Sequence, residues 1–156
     1  MNYWLLKSEP SVFSLDDLRK APGGRDHWDG VRNYQARNYL CAMAEGDQAF
    51  FYHSNCVRPG IVGIVEICRA AYPDHTAFDP HSPYHDPRST HANPRWYMVD
   101  VRFLGALARP VPLSELKQHP ELAELPLVQR GCRLSVMPVT AAQWQFILAL
   151  AERNNP

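Results

Sequence analysis

The pattern of apolar and polar residues predicts one strand and two helices in the first third of the chain. The apolar and aromatic run Tyr3–Lys7 stops at a polar segment, which indicates an opening strand. Ser14 followed by Asp17 is typical of a helix start. A second, amphipathic helix is expected from Asn33 to about Gly46, because apolar residues recur there every three or four positions. These residues are Ala36, Tyr39, Leu40 and Met43.

Beyond Asp47 the pattern changes to that of a sheet. Strands are predicted for residues 49–53, 60–68, 96–103 and 133–139. Residues 72–94 are rich in Pro, His and Asp and predict a long loop, and loops of this length are often functional. Short helical pieces at 114–124 and a final helix capped by Thr140 and Gln143 complete the chain. Strands outnumber crossover helices, which favours a mixed α+β barrel or curled sheet over a doubly wound sheet.

Length and charge narrow the classes of protein. The chain has 156 residues, so one domain covering 1–156 is expected. Sixteen basic and 16 acidic residues give zero formal net charge, and any charged partner must therefore be met locally. Its apolar runs are far shorter than the ~20 residues of a bilayer span, which excludes a membrane-spanning protein. The amino end has no secretory pattern, and a cytoplasmic location is expected.

Most motifs for catalysis are absent. The chain has no G-x-S-x-G, no phosphate-binding glycine loop and no CxxC, so neither a nucleophile nor a cofactor is predicted. The segment 74–91 does contain four histidines beside aspartates, namely His75, His81, His85 and His91. Their spacing matches no metal motif, which favours a solvated loop. A metal-dependent or hydrolytic enzyme that uses this segment is kept as an alternative.

Trp28 and the arginines are the candidates for binding. Trp28 lies in a polar segment with no apolar periodicity to bury it, so it either serves a function or folds back on the core. The chain has 13 Arg and three Lys, a usage that suits phosphate and base contacts but also reflects genome composition. Arg32, Arg37 and Arg58 flank the aromatic and amide motifs.

Several long sequence motifs in a fixed order resemble the EVE domain family. The resemblance runs from Tyr3 to about Ile147. The motifs are Tyr3–Pro10, Trp28–Asn38, Phe51–Asn55, Pro59–Gly63, Ala71–Asp74, Pro94–Val101 and Arg133–Val136.

The resemblance implies a PUA-like fold, a curled mixed β-barrel surrounded by helices, and a single EVE domain over residues 1–156. It also implies a non-enzymatic reader of modified bases, with nucleic acid, either DNA or RNA, as partner. A flipped-out nucleotide would be held in an aromatic and polar pocket, with Trp28 as the stacking face. A small nucleotide metabolite is a further alternative ligand.

The residues that this implied pocket would use fall into two groups. The base would contact Lys7, Ser8, Trp28, Asn33, Ser54, Asn55, Trp96 and Tyr97. The phosphate backbone would contact Arg32, Arg37, Arg58, Arg95 and Arg130.

Overall fold

A computed structural model of the chain describes residues 1–153. Within this range it has six strands, four α-helices and four short 3₁₀ turns. The strands are β1 (Tyr3–Ser8), β2 (Arg25–Trp28), β3 (Gln48–His53), β4 (Gly60–Pro73), β5 (Tyr97–Pro112) and β6 (Val136–Val139). The helices are α1 (Leu15–Lys20), α2 (Tyr34–Ala42), α3 (Leu113–Leu116) and α4 (Ala141–Glu152).

The six strands form one mixed sheet in the order β2-β5-β4-β3-β1-β6. Strands β1 and β3 run parallel, and every other neighbouring pair is antiparallel. Repeated register shifts between β4 and β5 bend the sheet, since irregular pairing increases local twist. Helix α2 contacts both β5 and β6, which lie towards opposite ends of the strand order. The sheet is therefore curled but open, with β2 and β6 at its free edges, and the predicted α+β class is confirmed.

Two apolar clusters hold the helices to the sheet. One joins α1 and α2 to the sheet through residues such as Leu18, Leu40 and Phe51. The other places α4 beneath β1 and β3, where the Trp144 ring stacks 3.9 Å from Phe50 and 4.4 Å from Tyr3 between centroids. None of the helices within residues 1–153 is long and apolar enough to cross a membrane.

The helix starts agree with the local sequence signals. Ser14 and Asp17 form a reciprocal capping box at α1, and Thr140 and Gln143 form another at α4. Asn33 caps α2 by accepting a hydrogen bond from the backbone of Ala36 at 2.9 Å. Each cap satisfies backbone N–H groups that have no partner in the first helical turn.

The structure departs from the sequence prediction at several elements. Strand β5 extends to Pro112, beyond the predicted end at 103, and strand β6 begins at Val136 rather than at 133. Helix α2 ends at Ala42 rather than near Gly46, because Met43 is already extended and Gly46 lies at φ +93° in the turn before β3. Strand β4 continues through Pro73, and a 3₁₀ turn follows at His75–Phe78, so the predicted loop begins later. Strand β2 was not predicted at all, because its polar residues acquire their conformation by pairing with β5.

Candidate functional site

A cavity of about 810 Å³ opens where the curled sheet fails to close. Its walls come from the end of β1, the end of β2 and the loop after it, and the segment before β6. These segments belong to the two free edges of the sheet and to the strand beside one of them. The lining residues are Lys7, Ser8, Glu9, Val12, Phe13, Asp26, His27, Trp28, Asp29, Gly30, Val31, Arg32, Ser54, Tyr84, Arg133 and Ser135.

Trp28 forms part of the inner wall of this cavity and also belongs to the core. Its ring meets Phe51 edge to face at 5.3 Å and Phe13 at 6.3 Å between centroids. Only 6% of the residue is exposed, so the cavity reaches an edge of the indole and not a whole ring face. Within residues 1–153, no hydrogen bond is formed by its N–H, and no fully buried side-chain nitrogen or oxygen lacks a partner. The indole nitrogen is therefore not fully buried.

Lys7, Ser8 and Ser54, three residues of the pocket that the resemblance implied, line the cavity together. The Ser8 hydroxyl donates to the carbonyl of Phe13 at 2.6 Å and keeps its own lone pairs as acceptors. The backbone N–H of Ser54 donates to the carbonyl of Ser8, which ties the end of β3 to the end of β1. Burial lowers the pKa of Lys7, whose ammonium group lies 5.9 Å from the centre of the Tyr52 ring.

A buried ion pair shapes the loop that follows β2. The fully buried Asp74 carboxylate accepts hydrogen bonds from the Gly30 N–H at 2.8 Å, from Arg32 Nη1 at 3.0 Å and from Thr76. Burial alone would raise the pKa of Asp74, but these hydrogen bonds outweigh it and hold the pKa below its ordinary value. The pair therefore fixes the cavity wall around Gly30.

Tyr84 forms the facing part of that wall. Gly30 has φ +78°, and a Cβ added to it would lie 2.8 Å from Tyr84 Cζ. The backbone carbonyl of Tyr84 accepts from Arg32 Nε and Nη2 at 3.0 and 2.7 Å. Only glycine permits this close approach, so Gly30, Arg32 and Tyr84 form one packed unit.

Three ionisable side chains lie in sequence around Trp28. His27 Nδ1 lies 3.1 Å from Asp26 Oδ1, and His27 Nε2 lies 3.4 Å from Asp29 Oδ2. Burial raises the pKa of Asp29, helped by the charge of Asp74 and opposed by His27. This wall of the cavity is therefore acidic, whereas Lys7 and Arg133 are the cations on the side of β1 and β6.

Four residues predicted to contact a base do not line the cavity. Asn33 is occupied as the cap of α2, and Asn55 lies exposed with its amide donating to Glu9 at 2.9 Å. Trp96 is 6% exposed, donates to Asp86 at 2.7 Å and stacks on Tyr34. Tyr97 begins β5, paired with Pro73. Local hydrogen bonds and packing, which the sequence motif does not reveal, direct these side chains elsewhere.

The arginines predicted to bind phosphate have varied surroundings. Arg32 lines the cavity, but its five N–H groups make five hydrogen bonds within the protein and leave no donor for a phosphate. Arg37 donates to the carbonyl of Arg95 and to Asn38. Arg58 and Arg130 are exposed, Arg95 is half-buried, and none of these three lines the cavity.

The histidine-rich segment is not assembled as a metal centre. Within residues 1–153, no three His, Cys, Asp or Glu side chains lie close enough to hold a metal ion. Asp74 is committed to Arg32, Asp86 accepts from Trp96, and His91 stacks on Phe78 at 4.1 Å. These three side chains are thus engaged in contacts within the folded segment.

Residues 2–150 match the EVE domain family. Thymocyte nuclear protein 1 of Gallus gallus is 48% identical over 169 residues, which cover 97% of this chain and 69% of the relative. The chain belongs to the EVE family. The implied family membership is thereby confirmed over nearly the whole sequence.

Solved structures of EVE proteins superpose closely on this EVE chain. A protein from Pseudomonas syringae has a TM-score of 0.92 and 56% identity, covering 96% of this chain and 99% of its own. Human THYN1, crystallised in complex with 5-methylcytosine containing DNA, has a TM-score of 0.95 and 45% identity, covering 99% and 100%. A YTH domain from Zygosaccharomyces rouxii reaches a TM-score of 0.56 at 16% identity, which shows a shared fold.

Several lining residues of the EVE cavity were not predicted from the sequence. Asp29, Tyr84 and Arg133 come from three segments that meet only in the fold. The one signal available for Asp29 was its position beside Trp28 and Gly30. Arg133 opens one of the family motifs but was assigned no role, and Tyr84 lies outside these motifs; loop packing and the curl of the sheet bring both residues to the cavity.

Proposed function

We propose that this EVE chain recognises a modified base in DNA or RNA and catalyses no reaction. The cavity between the two free edges of the sheet supports this proposal. Its volume of about 810 Å³ lies in the range of roughly 300–1,000 Å³ typical of small-ligand sites. The human relative crystallised with 5-methylcytosine containing DNA supports the class of ligand.

The lining chemistry suits a single extruded nucleotide. Lys7, Ser8, Trp28 and Ser54 would supply donors and acceptors to the edge of the base, and Phe13 and Tyr84 supply aromatic surface. Extruding a base costs a few kcal/mol, and contact with aromatic rings offsets about 1–3 kcal/mol of this. In this proposal Trp28 contributes its N–H and one ring edge, because most of its faces are packed against the core.

The zero net charge of the chain favours binding through the base itself rather than through general electrostatic attraction to nucleic acid. The zero formal net charge provides no long-range pull on phosphates, so a nucleic acid would be held mainly at the cavity. We also propose that residues 1–156 form one EVE domain. The cytoplasmic location stays a prediction, since the curated relatives are named as nuclear proteins.

Filling the cavity tests the proposal. Wild-type protein should bind a single-stranded oligonucleotide that carries one 5-methylcytosine, measured by fluorescence anisotropy. Ser54→Phe places a large ring in the cavity and should weaken this binding at least about tenfold, a change of ~1.4 kcal/mol.

Ser11→Phe adds the same ring at an exposed position outside the cavity and should leave the affinity within about twofold. Thermal melting of both variants checks that they are folded. A folded Ser54→Phe protein with wild-type affinity would show that the cavity does not hold the base. Binding of the free nucleotide alone, with no preference for the oligonucleotide, would favour the metabolite alternative.

A further inference from the structure

The carboxylate of Asp29 lines the cavity and makes few contacts with other side chains. The residue lines the cavity between Trp28 and Gly30, and its side chain is 30% exposed. Within residues 1–153, its ion contact is with His27 Nε2 alone, at 3.4 Å. At least one carboxylate oxygen of Asp29 therefore remains available to a ligand in the cavity.

The neighbouring charged groups are more firmly occupied. Asp74 and Arg32 bind each other and the loop, and the Asp26 carboxylate accepts from the backbone N–H of His27 at 2.8 Å. Lys7 and Arg133 lie on the side of β1 and β6, and no ion pair joins either of them to Asp29 in the described part of the chain. Asp29 thus contributes to the cavity wall a carboxylate whose Oδ1 has no ion-pair partner in the described part of the chain, next in sequence to Trp28.

We propose that Asp29 determines base specificity by accepting a hydrogen bond from an exocyclic amino group, so that the cavity selects cytosine-type or adenine-type bases over thymine and uracil. This inference rests on the proposed function and names the class of base that the site takes. It follows from the hydrogen-bonding edges of the bases.

Cytosine presents an amino donor beside an unprotonated ring nitrogen, whereas thymine presents a carbonyl acceptor beside an N–H. An ionised carboxylate only accepts hydrogen bonds, so it accepts from the cytosine amino group and faces the thymine carbonyl as two opposed acceptors. A protonated carboxyl pairs with either base, since its O–H donates to the cytosine ring nitrogen or to the thymine carbonyl while its other oxygen accepts from the adjacent amino group or ring N–H. The preference for the amino-bearing base therefore belongs to the ionised carboxylate of Asp29.

Single-stranded oligonucleotides that differ only in one central base, 5-methylcytosine or thymine, test this assignment. Both bases carry the 5-methyl group, so their affinity ratio reports the amino or carbonyl edge alone. Wild-type protein should prefer 5-methylcytosine at least about fivefold, because one well-formed base contact discriminates by about 1 kcal/mol or more. Asp29→Asn should bring the ratio to within about threefold, since an amide both donates and accepts.

Glu45→Gln is the control, because it removes one acidic charge from an exposed position outside the cavity and should keep the wild-type ratio. Melting temperatures verify that the variants are folded. The affinity ratio of the wild-type protein tests the predicted preference even where a variant fails to fold. Equal binding of the two bases by the wild type overturns the role of Asp29 and leaves the proposed function intact. Binding of neither oligonucleotide overturns both proposals, and a ratio unchanged in folded Asp29→Asn overturns the assignment.

Discussion

At the scale of single residues, the contact between Gly30 and Tyr84 controls the shape of the cavity. We expect Gly30→Ala to destabilise the protein, because its φ is +78° and its Cβ would press on the Tyr84 ring at 2.8 Å. Gly131 shares the φ of +78° but has no heavy atom within 4 Å of the added Cβ, so Gly131→Ala measures backbone strain alone. The difference between the two variants in denaturant unfolding should be about 1–3 kcal/mol, the usual cost of overpacking.

A second substitution isolates the ring. In a Tyr84→Ala background the clash is absent, so Gly30→Ala and Gly131→Ala should cost similar amounts. Equal costs already in the wild-type background would mean that the Tyr84 ring moves aside freely and does not define this wall.

The Arg32 side chain shows why residue type alone misassigns roles. An arginine beside aromatic and amide residues suggested a phosphate contact, yet its guanidinium makes five hydrogen bonds to Val31, Asp74, Thr76 and Tyr84. Asp74 and Thr76 lie more than 40 residues from Arg32 in sequence, and Tyr84 lies further still. Only the fold reveals that this arginine is a structural link.

At the scale of elements, the cap of α2 separates a structural role for Asn33 from a binding role. Asn33→Ala removes the acceptor of the Ala36 N–H and should lower the free energy of unfolding by about 1 kcal/mol. Asn33→Ser keeps a capping oxygen and should restore most of this stability. Both variants should bind the 5-methylcytosine oligonucleotide like the wild type, because the side chain does not line the cavity. Normal stability with lost affinity in Asn33→Ser would instead show that Asn33 reads the base.

A helix or strand was predictable from the sequence where the interactions that form it lie within a few consecutive residues. Helices α1 and α4 were predictable because their capping boxes lie within four consecutive residues. Strand β2 was not, since Arg25–Trp28 has no apolar alternation and forms through its pairing with β5. The same strand carries Asp26, His27 and Trp28 to the cavity, so the element that positions these three residues was not predicted. Lys7, Ser8 and Ser54 were found only through the family resemblance.

At the scale of the whole molecule, most of the buried groups that titrate between pH 3 and pH 8 with a shifted pKa make the protein less stable as the pH falls. Burial lowers the pKa of His53, whose Nε2 accepts from the backbone of Leu15, so its contribution is full above its ordinary pKa of 6.5 and is lost as pH falls. Hydrogen bonds outweigh burial and lower the pKa of Asp47 and Asp74 below 3.8, and their contributions are lost in stronger acid. The raised pKa of Asp29 acts in the opposite sense.

Melting temperatures measured from pH 8 to pH 3 check this expectation. The melting temperature should fall first below about pH 6.5, from His53, and again below about pH 4, from the carboxylates. His53→Gln offers an uncharged acceptor to Leu15 and should remove the first decline while leaving the second. A first decline that persists in His53→Gln would assign it to another group.

The open sheet also determines which parts of the chain a bound molecule would join. The cavity draws on segments near residues 7–9, 26–32 and 133–135, and so on both ends of the strand order. A molecule bound there would contact both sides of the gap. It would link β1 and the segment before β6, on one side, to β2, which pairs only with β5, on the other. Occupancy would thus complete a ring of contacts that the backbone alone leaves interrupted.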